Sequence, residues 1–260
     1  MSAARLGPAS RGASDPPRAG DSEAARAAAA AARSAHWEKV YRTKPVDEVS
    51  WFQPHLDASL ELIRATGAGR DARILDVGGG ASTLVDDLLE AGFEAITVLD
   101  VSPAALAIAR RRLGEAASRV RWIEGDITRV DLAPASVDVW HDRAALHFLV
   151  DPSDRLAYTR QLRRAVAPGG HVILSTFGPE GPPKCSGLPV HRYDTARMQA
   201  LAGEDFTLRE SRSQVHRTPS GGAQPFIVCR LQRQEARSTA ASEPCSGQTA
   251  ATASTSRSAQ

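Results

Sequence analysis

The stretch ILDVGGGASTLVDDLLEAG, residues 74–92, constrains this chain most, because a buried strand runs through three consecutive glycines into an amphipathic helix. A glycine turn lets the backbone approach a ligand closely, and the helix that follows begins with N–H groups free to bond. Such a turn is predicted to bind a cofactor. Triphosphates, dinucleotides and other nucleoside cofactors all remain open at this point, so the residues around the glycines must decide between them.

Strands and helices alternate along the middle of the chain, which is typical of βαβ units and a mostly parallel sheet. The last two strands have a short turn and no helix between them, so they are predicted to pair as an antiparallel hairpin. We therefore predict an α/β, Rossmann-like, seven-stranded sheet with helices on both faces. Strands are expected at residues 72–77, 95–101, 119–126, 137–143, 171–177, 206–217 and 225–233, and helices at 36–41, 56–65, 82–92, 102–114 and 154–170.

The two ends of the chain differ from its middle in composition. Residues 1–33 and 234–260 are rich in Ala, Ser, Arg and Thr and poor in large apolar side chains, so both are predicted to be disordered tails. Residues 34–233 then form one domain. Residues 34–232 carry 24 basic and 25 acidic residues, a balance that does not favour nucleic acid as a partner.

The cysteine spacing and the apolar pattern predict a cytoplasmic protein with no metal site and no membrane-spanning segment. The three cysteines, Cys185, Cys229 and Cys245, show no spacing typical of a disulfide framework or a metal site. No apolar run approaches 18 residues, and the first residues lack the apolar core of a secretory signal. We expect a monomer in a reducing compartment.

The surroundings of the glycines argue against bound phosphate. A P-loop requires Lys at the start of the helix, and no Lys occurs between residues 45 and 183. A dinucleotide turn has a third glycine where Thr83 stands. Asp76, two residues before Gly78, would repel a pyrophosphate at the helix N-terminus, whereas it suits a ligand with an ammonium and a sulfonium group.

At this point the chain resembles the class I methyltransferases that use S-adenosylmethionine (SAM). Their glycine motif, acid-x-Gly-x-Gly, matches Asp76–Gly80. The resemblance implies that Asp100, at the end of the second strand, bonds both ribose hydroxyls. It also implies that Asp126 bonds the adenine amino group while Ile127 covers the ring. The cofactor-binding residues predicted in this way are Trp51, Asp76, Gly78, Gly80, Asp100, Val101, Asp126, Ile127 and His141.

The acceptor side is predicted from WHDRAALHFLVDPSDR, residues 140–155, which follows the fourth strand. It resembles the thiopurine S-methyltransferase branch, whose Asp-Arg matches Asp142-Arg143. Residues 37–52 instead resemble small lysine methyltransferases. We expect Asp142 and Arg143 on the pocket floor and His147 as general base. A structural ion pair between Asp142 and Arg143, or packing of His147 beside Phe148, is the alternative.

Two further segments are expected to border the pocket. Trp51 and Phe52 are predicted to close one side of it, with ordinary core packing as the alternative. The loop at residues 178–193 is long for a connection between a strand and a helix, which favours a lid. Cys185 in that loop is interpreted as a bystander.

These observations predict an enzyme that transfers a methyl group from SAM to a small-molecule acceptor, with a thiol as one option. The alternatives are a protein lysine methyltransferase, a SAM-binding protein without catalysis and a nicotinamide-dependent oxidoreductase. Asp76 and Thr83 argue against the last of these.

Overall fold

Strands buried on both faces build the sheet, as expected for parallel strands that helices cover on either side. The computed structural model describes residues 19–235. Its parallel strands are β1 (Arg73–Val77), β2 (Ala95–Asp100), β3 (Val120–Glu124), β4 (Val137–Arg143) and β5 (Val166–Phe177). Ile74 and Leu75 are consecutive in β1 and lie in different hydrophobic clusters, because successive side chains of a strand point to opposite faces.

The C-terminal hairpin completes the sheet. β8 (Phe206–Arg217) and β9 (Ala223–Arg233) are antiparallel to each other, and β9 also pairs antiparallel with β5. The strand order is β3-β2-β1-β4-β5-β9-β8. The predicted α/β class, the seven strands and the terminal hairpin are confirmed.

Helices and one small hairpin connect the strands. The helices are α1 (Ala19–Thr43), α2 (Asp57–Arg64), α3 (Leu84–Glu90), α4 (Pro103–Leu113), α5 (Pro152–Ala165) and α6 (Thr195–Ala202). The small hairpin is β6 (Lys184–Cys185) with β7 (Leu188–Pro189), inside the loop predicted as a lid. None of the helices in residues 19–235 is both long and apolar enough to cross a bilayer.

The largest difference from the sequence prediction lies at the start of the chain. Residues 19–33, predicted to be disordered, form the first half of α1, and the short helix expected at residues 36–41 is its second half. Alanine has the highest helix propensity, and the Ala-rich segment is continuous with residues that contact the domain. The rest of the predicted N-terminal tail and residues 236–260 lie outside the described residues.

Two smaller differences concern α5 and α6. α5 ends at Ala165 and not at Gly170, because Pro168 disfavours helical backbone in the residue before it, and the chain enters β5 there. α6 was not predicted. Its N-cap is Asp194, whose side chain accepts a hydrogen bond from the Arg197 N–H at 2.8 Å.

Candidate active site

A cavity of about 830 Å³, including its open mouth, lies over the carboxyl ends of the parallel strands. Val77, Asp100, Arg143 and Phe177, which end β1, β2, β4 and β5, all line it. Ligands of open α/β sheets bind at this edge. α1 forms the opposite wall.

The glycine turn brings bare backbone to the cavity. Gly78 has a φ of +69° and its N–H donates to the Leu99 carbonyl at 2.7 Å. A Cβ on Gly78 would lie 2.6 Å from the Cβ of Ala145, and one on Gly80 would lie 2.6 Å from Asp100 Oδ2. Only glycine fits both positions without displacing a neighbour, so the backbone of the turn stays open to a ligand.

Asp100 is the acid that lies at the cavity wall without a cationic partner among the described residues. Its Oδ1 accepts the Ser102 N–H at 2.8 Å, and Val101 lines the cavity beside it. Burial raises the pKa of Asp100 to about 7, with the neighbouring Asp76 adding to the effect. In its ionised form this carboxylate has the chemistry to accept hydrogen bonds from a vicinal diol.

Asp126 also lines the cavity, together with Ile127, but it is held by a side chain of α1. Arg33 approaches Asp126 Oδ2 at 2.8 Å and Asp154 Oδ2 at 2.5 Å. The other oxygen of Asp126 accepts the N–H and hydroxyl of Thr128 at 2.8 and 2.6 Å. An adenine amino group would therefore share Asp126 with Arg33 or replace it.

Asp76 lies behind the glycine turn and does not line the cavity. Its Oδ1 is 2.7 Å from Nδ1 of His141, and Nε2 of His141 is 3.0 Å from the Ser59 hydroxyl. All three side chains are buried. The structure thus brings Asp76 and His141 together, and places His141 in support of the acid of the glycine motif.

Asp142 is turned away from the cavity, contrary to the prediction of a pocket-floor residue. It is fully buried and accepts hydrogen bonds from the N–H groups of Ala145 and Leu146 and from the Tyr158 hydroxyl. Burial raises its pKa to about 6. These bonds hold the turn after β4, in which Ala144 has a φ of +70°. Asp142 therefore positions the turn, and no ion pair joins it to Arg143 within the described part of the chain.

His147 borders the cavity, yet its nitrogens are not free to take a proton. It is fully buried, and Nδ1 accepts the Phe177 N–H at 3.4 Å, which leaves the proton on Nε2. Nε2 is closed to solvent and has no partner among residues 23–235. Burial and the nearby Arg143 charge lower the pKa of His147 to about 3. The predicted role as general base does not agree with this placement, whereas the alternative, packing beside Phe148, does.

Arg143 is the predicted acceptor-side residue that faces the cavity. One guanidinium nitrogen donates to the Trp51 carbonyl at 3.1 Å, and the group lies 5.7 Å from the centre of the Phe226 ring. Burial lowers its pKa to about 10, so it remains a cation at neutral pH.

An aromatic wall surrounds Arg143, and the sequence prediction missed most of it. Trp51 was predicted and contacts Trp37 of α1 with ring centres 5.4 Å apart. Trp37 in turn contacts Phe148 at 4.9 Å. The spacing of Trp37 and Tyr41, one helical turn apart, is the signal that could have placed α1 at the site. The aromatic and polar cavity residues missed from the sequence are Arg33, Trp37, Tyr41, Phe148, Phe177, Gln224 and Phe226.

Known proteins share this architecture. The family described as a methyltransferase domain matches residues 74–170, which run from β1 into β5. This stretch, which carries the glycine turn, Asp100 and Asp126, is thus similar to a methyltransferase domain. The thiopurine and lysine branches remain predictions.

Individual relatives are more distant. A ubiquinone biosynthesis O-methyltransferase of Alkalilimnicola ehrlichii is 32% identical over 60% of this chain and 60% of its own. A carboxy-S-adenosyl-L-methionine synthase of Chromohalobacter salexigens is 42% identical over 31% of this chain and 29% of its own. The chain thus spans less than two thirds of either curated relative.

A solved structure has the same fold. The Burkholderia thailandensis 1,6-didemethyltoxoflavin-N1-methyltransferase, with 1,6-didemethyltoxoflavin and S-adenosylhomocysteine bound, is 24% identical. The match covers 86% of this chain and 94% of that one, with a TM-score of 0.58.

Proposed function

We propose that this protein is an enzyme that transfers a methyl group from SAM to a small-molecule acceptor. One observation supports this most. A single cavity is lined both by the glycine turn with Asp100 and by aromatic side chains with Arg143. The first set suits a nucleoside with an amino-acid tail, and the second suits an organic acceptor beside it.

The residues of the chain would act mainly by binding and orientation. Bound SAM supplies a methyl group whose bond to sulfur breaks as the acceptor's nucleophilic atom bonds to its carbon. Asp100 accepts hydrogen bonds from the ribose hydroxyls, and the aromatic wall excludes water while it aligns the acceptor. Cys185 lines the cavity, but burial raises its pKa to about 11, so it stays a thiol and supplies no nucleophile.

The acceptor atom is an oxygen or a sulfur in this proposal. The resemblance of Asp142-Arg143 to the thiopurine branch supports sulfur, whereas the relative from Alkalilimnicola is named as an O-methyltransferase, which supports oxygen. A lysine acceptor is disfavoured by Arg143, because its guanidinium would repel an ammonium group entering the same cavity.

Calorimetric titration with SAM and with NAD, side by side, tests the cofactor. SAM is expected to bind and NAD is not. The variant Asp100→Ala should weaken SAM binding about tenfold or more, since two charge-assisted hydrogen bonds are lost. Asp47→Ala, at an exposed position outside the cavity, is the matched control and should bind as the parent does. Binding of NAD without SAM would refute the proposal.

Release of S-adenosylhomocysteine then tests the reaction. The panel contains thiols, phenols and carboxylic acids, together with a lysine peptide for the alternative acceptor. We expect turnover with at least one small molecule and none with the peptide. SAM binding without release for any acceptor would favour the binding protein that lacks catalysis.

A further inference from the structure

Arg143 is a cation in a mostly apolar cavity, and the nearby carboxylates, Asp76 behind the glycine turn and Asp100 in the cavity wall, do not contact it. No carboxylate lies within 4.0 Å of its guanidinium among residues 23–235. Its one hydrogen bond there is to the Trp51 carbonyl, a neutral acceptor. A guanidinium has five N–H donors, so most of its bonding capacity is unused on the protein side.

The lack of an ion pair at Arg143 contrasts with the pairing of Arg33. Arg33 lines the same cavity and pairs with two carboxylates, Asp126 and Asp154. Asp142 is next to Arg143 in β4 and could have served as its counterion. Its carboxylate instead accepts the backbone N–H groups of Ala145 and Leu146 in the turn after the strand. Taking a cation out of water is unfavourable unless an anion or strong acceptors compensate.

The surroundings of Arg143 define the rest of the ligand. The guanidinium lies over Phe226, and Trp51, Phe148 and Phe177 line the same cavity. These rings offer flat apolar surface to a planar molecule. A guanidinium binds the two oxygens of a carboxylate with matched geometry.

We propose that the acceptor is an aromatic carboxylate and that Arg143 binds its carboxylate group. The inference rests on the proposed function, because it assigns the acceptor half of the cavity. Arg143 is then the residue that selects anionic over neutral acceptors. The carboxylate of the bound acceptor then supplies the contacting anion that Arg143 lacks among residues 23–235.

Calorimetry with two matched probes tests the proposal. The protein is first saturated with S-adenosylhomocysteine, which lacks the sulfonium charge that would itself attract an anion. It is then titrated at pH 7.5 with 1-naphthoate or with 1-naphthamide, which have nearly the same shape. We expect the acid to bind at least about tenfold more tightly than the amide, or about 1.4 kcal/mol.

Substitutions assign the preference to Arg143. In Arg143→Met the affinity for 1-naphthoate divided by that for 1-naphthamide should fall to about one. Arg143→Lys should keep part of this ratio, since the charge remains. Arg163→Met is the matched control. Arg163 also donates to a backbone carbonyl, that of Ala202, but it lies outside both the cavity lining and the predicted lid, so the variant should keep the parent's ratio of the two affinities.

The outcomes separate this inference from the proposed function. If the parent fails to bind S-adenosylhomocysteine, the proposed function is wrong. If S-adenosylhomocysteine binds but the acid shows no preference, or does not bind, this inference alone is overturned. It is also overturned if Arg143→Met keeps the ratio while S-adenosylhomocysteine binds tenfold more weakly, because Arg143 then serves the carboxylate of the cofactor.

Discussion

Asp100 is the residue whose charge state should be visible in solution. Its raised pKa of about 7 means that it is mostly protonated at pH 6 and ionised at pH 8. The ionised form is the better hydrogen-bond acceptor for ribose hydroxyls. We therefore expect S-adenosylhomocysteine to bind about tenfold more tightly at pH 8 than at pH 6. Calorimetry at several pH values measures this.

Asp100→Asn is the control for that titration. The amide cannot ionise, so its affinity should be low and constant across the same range. Asp76 and Glu38 are the acids whose charges act on Asp100, and both remain in the variant. A variant that retains the full pH dependence would show that another group is responsible.

The sequence could place the site residues along the chain but not the direction of their side chains. The ends of β1, β2 and β4 follow from the apolar pattern, so the edge that bears Asp76, Asp100 and Arg143 was predictable. Asp142 and Arg143 are consecutive in one strand and point to opposite faces. The period of two predicts opposite directions for these two side chains, whereas which of them faces the cavity depends on packing against β5 and Tyr158.

At the scale of elements, the sequence did not predict α6 or the first part of α1, and of these two helices α1 borders the cavity. A helix is usually found by its apolar stripe, and most of α1 consists of alanine and polar residues. It docks by polar contacts in addition to the aromatic contacts of Trp37. Ser34 donates to the Val101 carbonyl at 2.8 Å, and Glu38 accepts the Ser102 hydroxyl at 2.8 Å, so α1 also braces the start of α4.

The ion pairs of Arg33 should dominate the attachment of α1. Arg33→Gln leaves Asp126 and Asp154 without their cation, which should destabilise the docked helix by about 3 kcal/mol. Hydrogen exchange of the α1 amides measures the effect locally. Arg42→Gln removes an exposed pair with Glu38 in the same helix and should cost about 0.5 kcal/mol. Equal exchange in both variants would contradict the assignment.

At the scale of the whole molecule, the mostly parallel sheet with its terminal hairpin was predictable and the closure of the cavity was not. Alternating strands and helices determine a parallel sheet almost by themselves, and the hairpin followed from a short turn between two strands. The cavity wall, in contrast, joins Trp37, Phe148 and Phe226, which are far apart in sequence. Contacts of this kind leave no local pattern in a single chain.

The monomer expected from the sequence is a prediction about the whole molecule. β8 and β3 are the edges of the sheet, and exposed arginines such as Arg121, Arg209 and Arg217 lie along them. Charged edge strands are poor templates for pairing with another chain. Light scattering should therefore give 27.6 kDa at micromolar concentration. Twice that mass would contradict the prediction.

The aromatic contact between α1 and the loop after it has a practical consequence. Trp37 and Trp51 are two of the four tryptophans, and both line the cavity. The other two lie away from it, with Trp140 bonded to Tyr158 and Trp122 to the Ala117 carbonyl. Half of the tryptophans thus report on the site, so ligand entry and the docking of α1 are both open to stopped-flow fluorescence measurement without a dye.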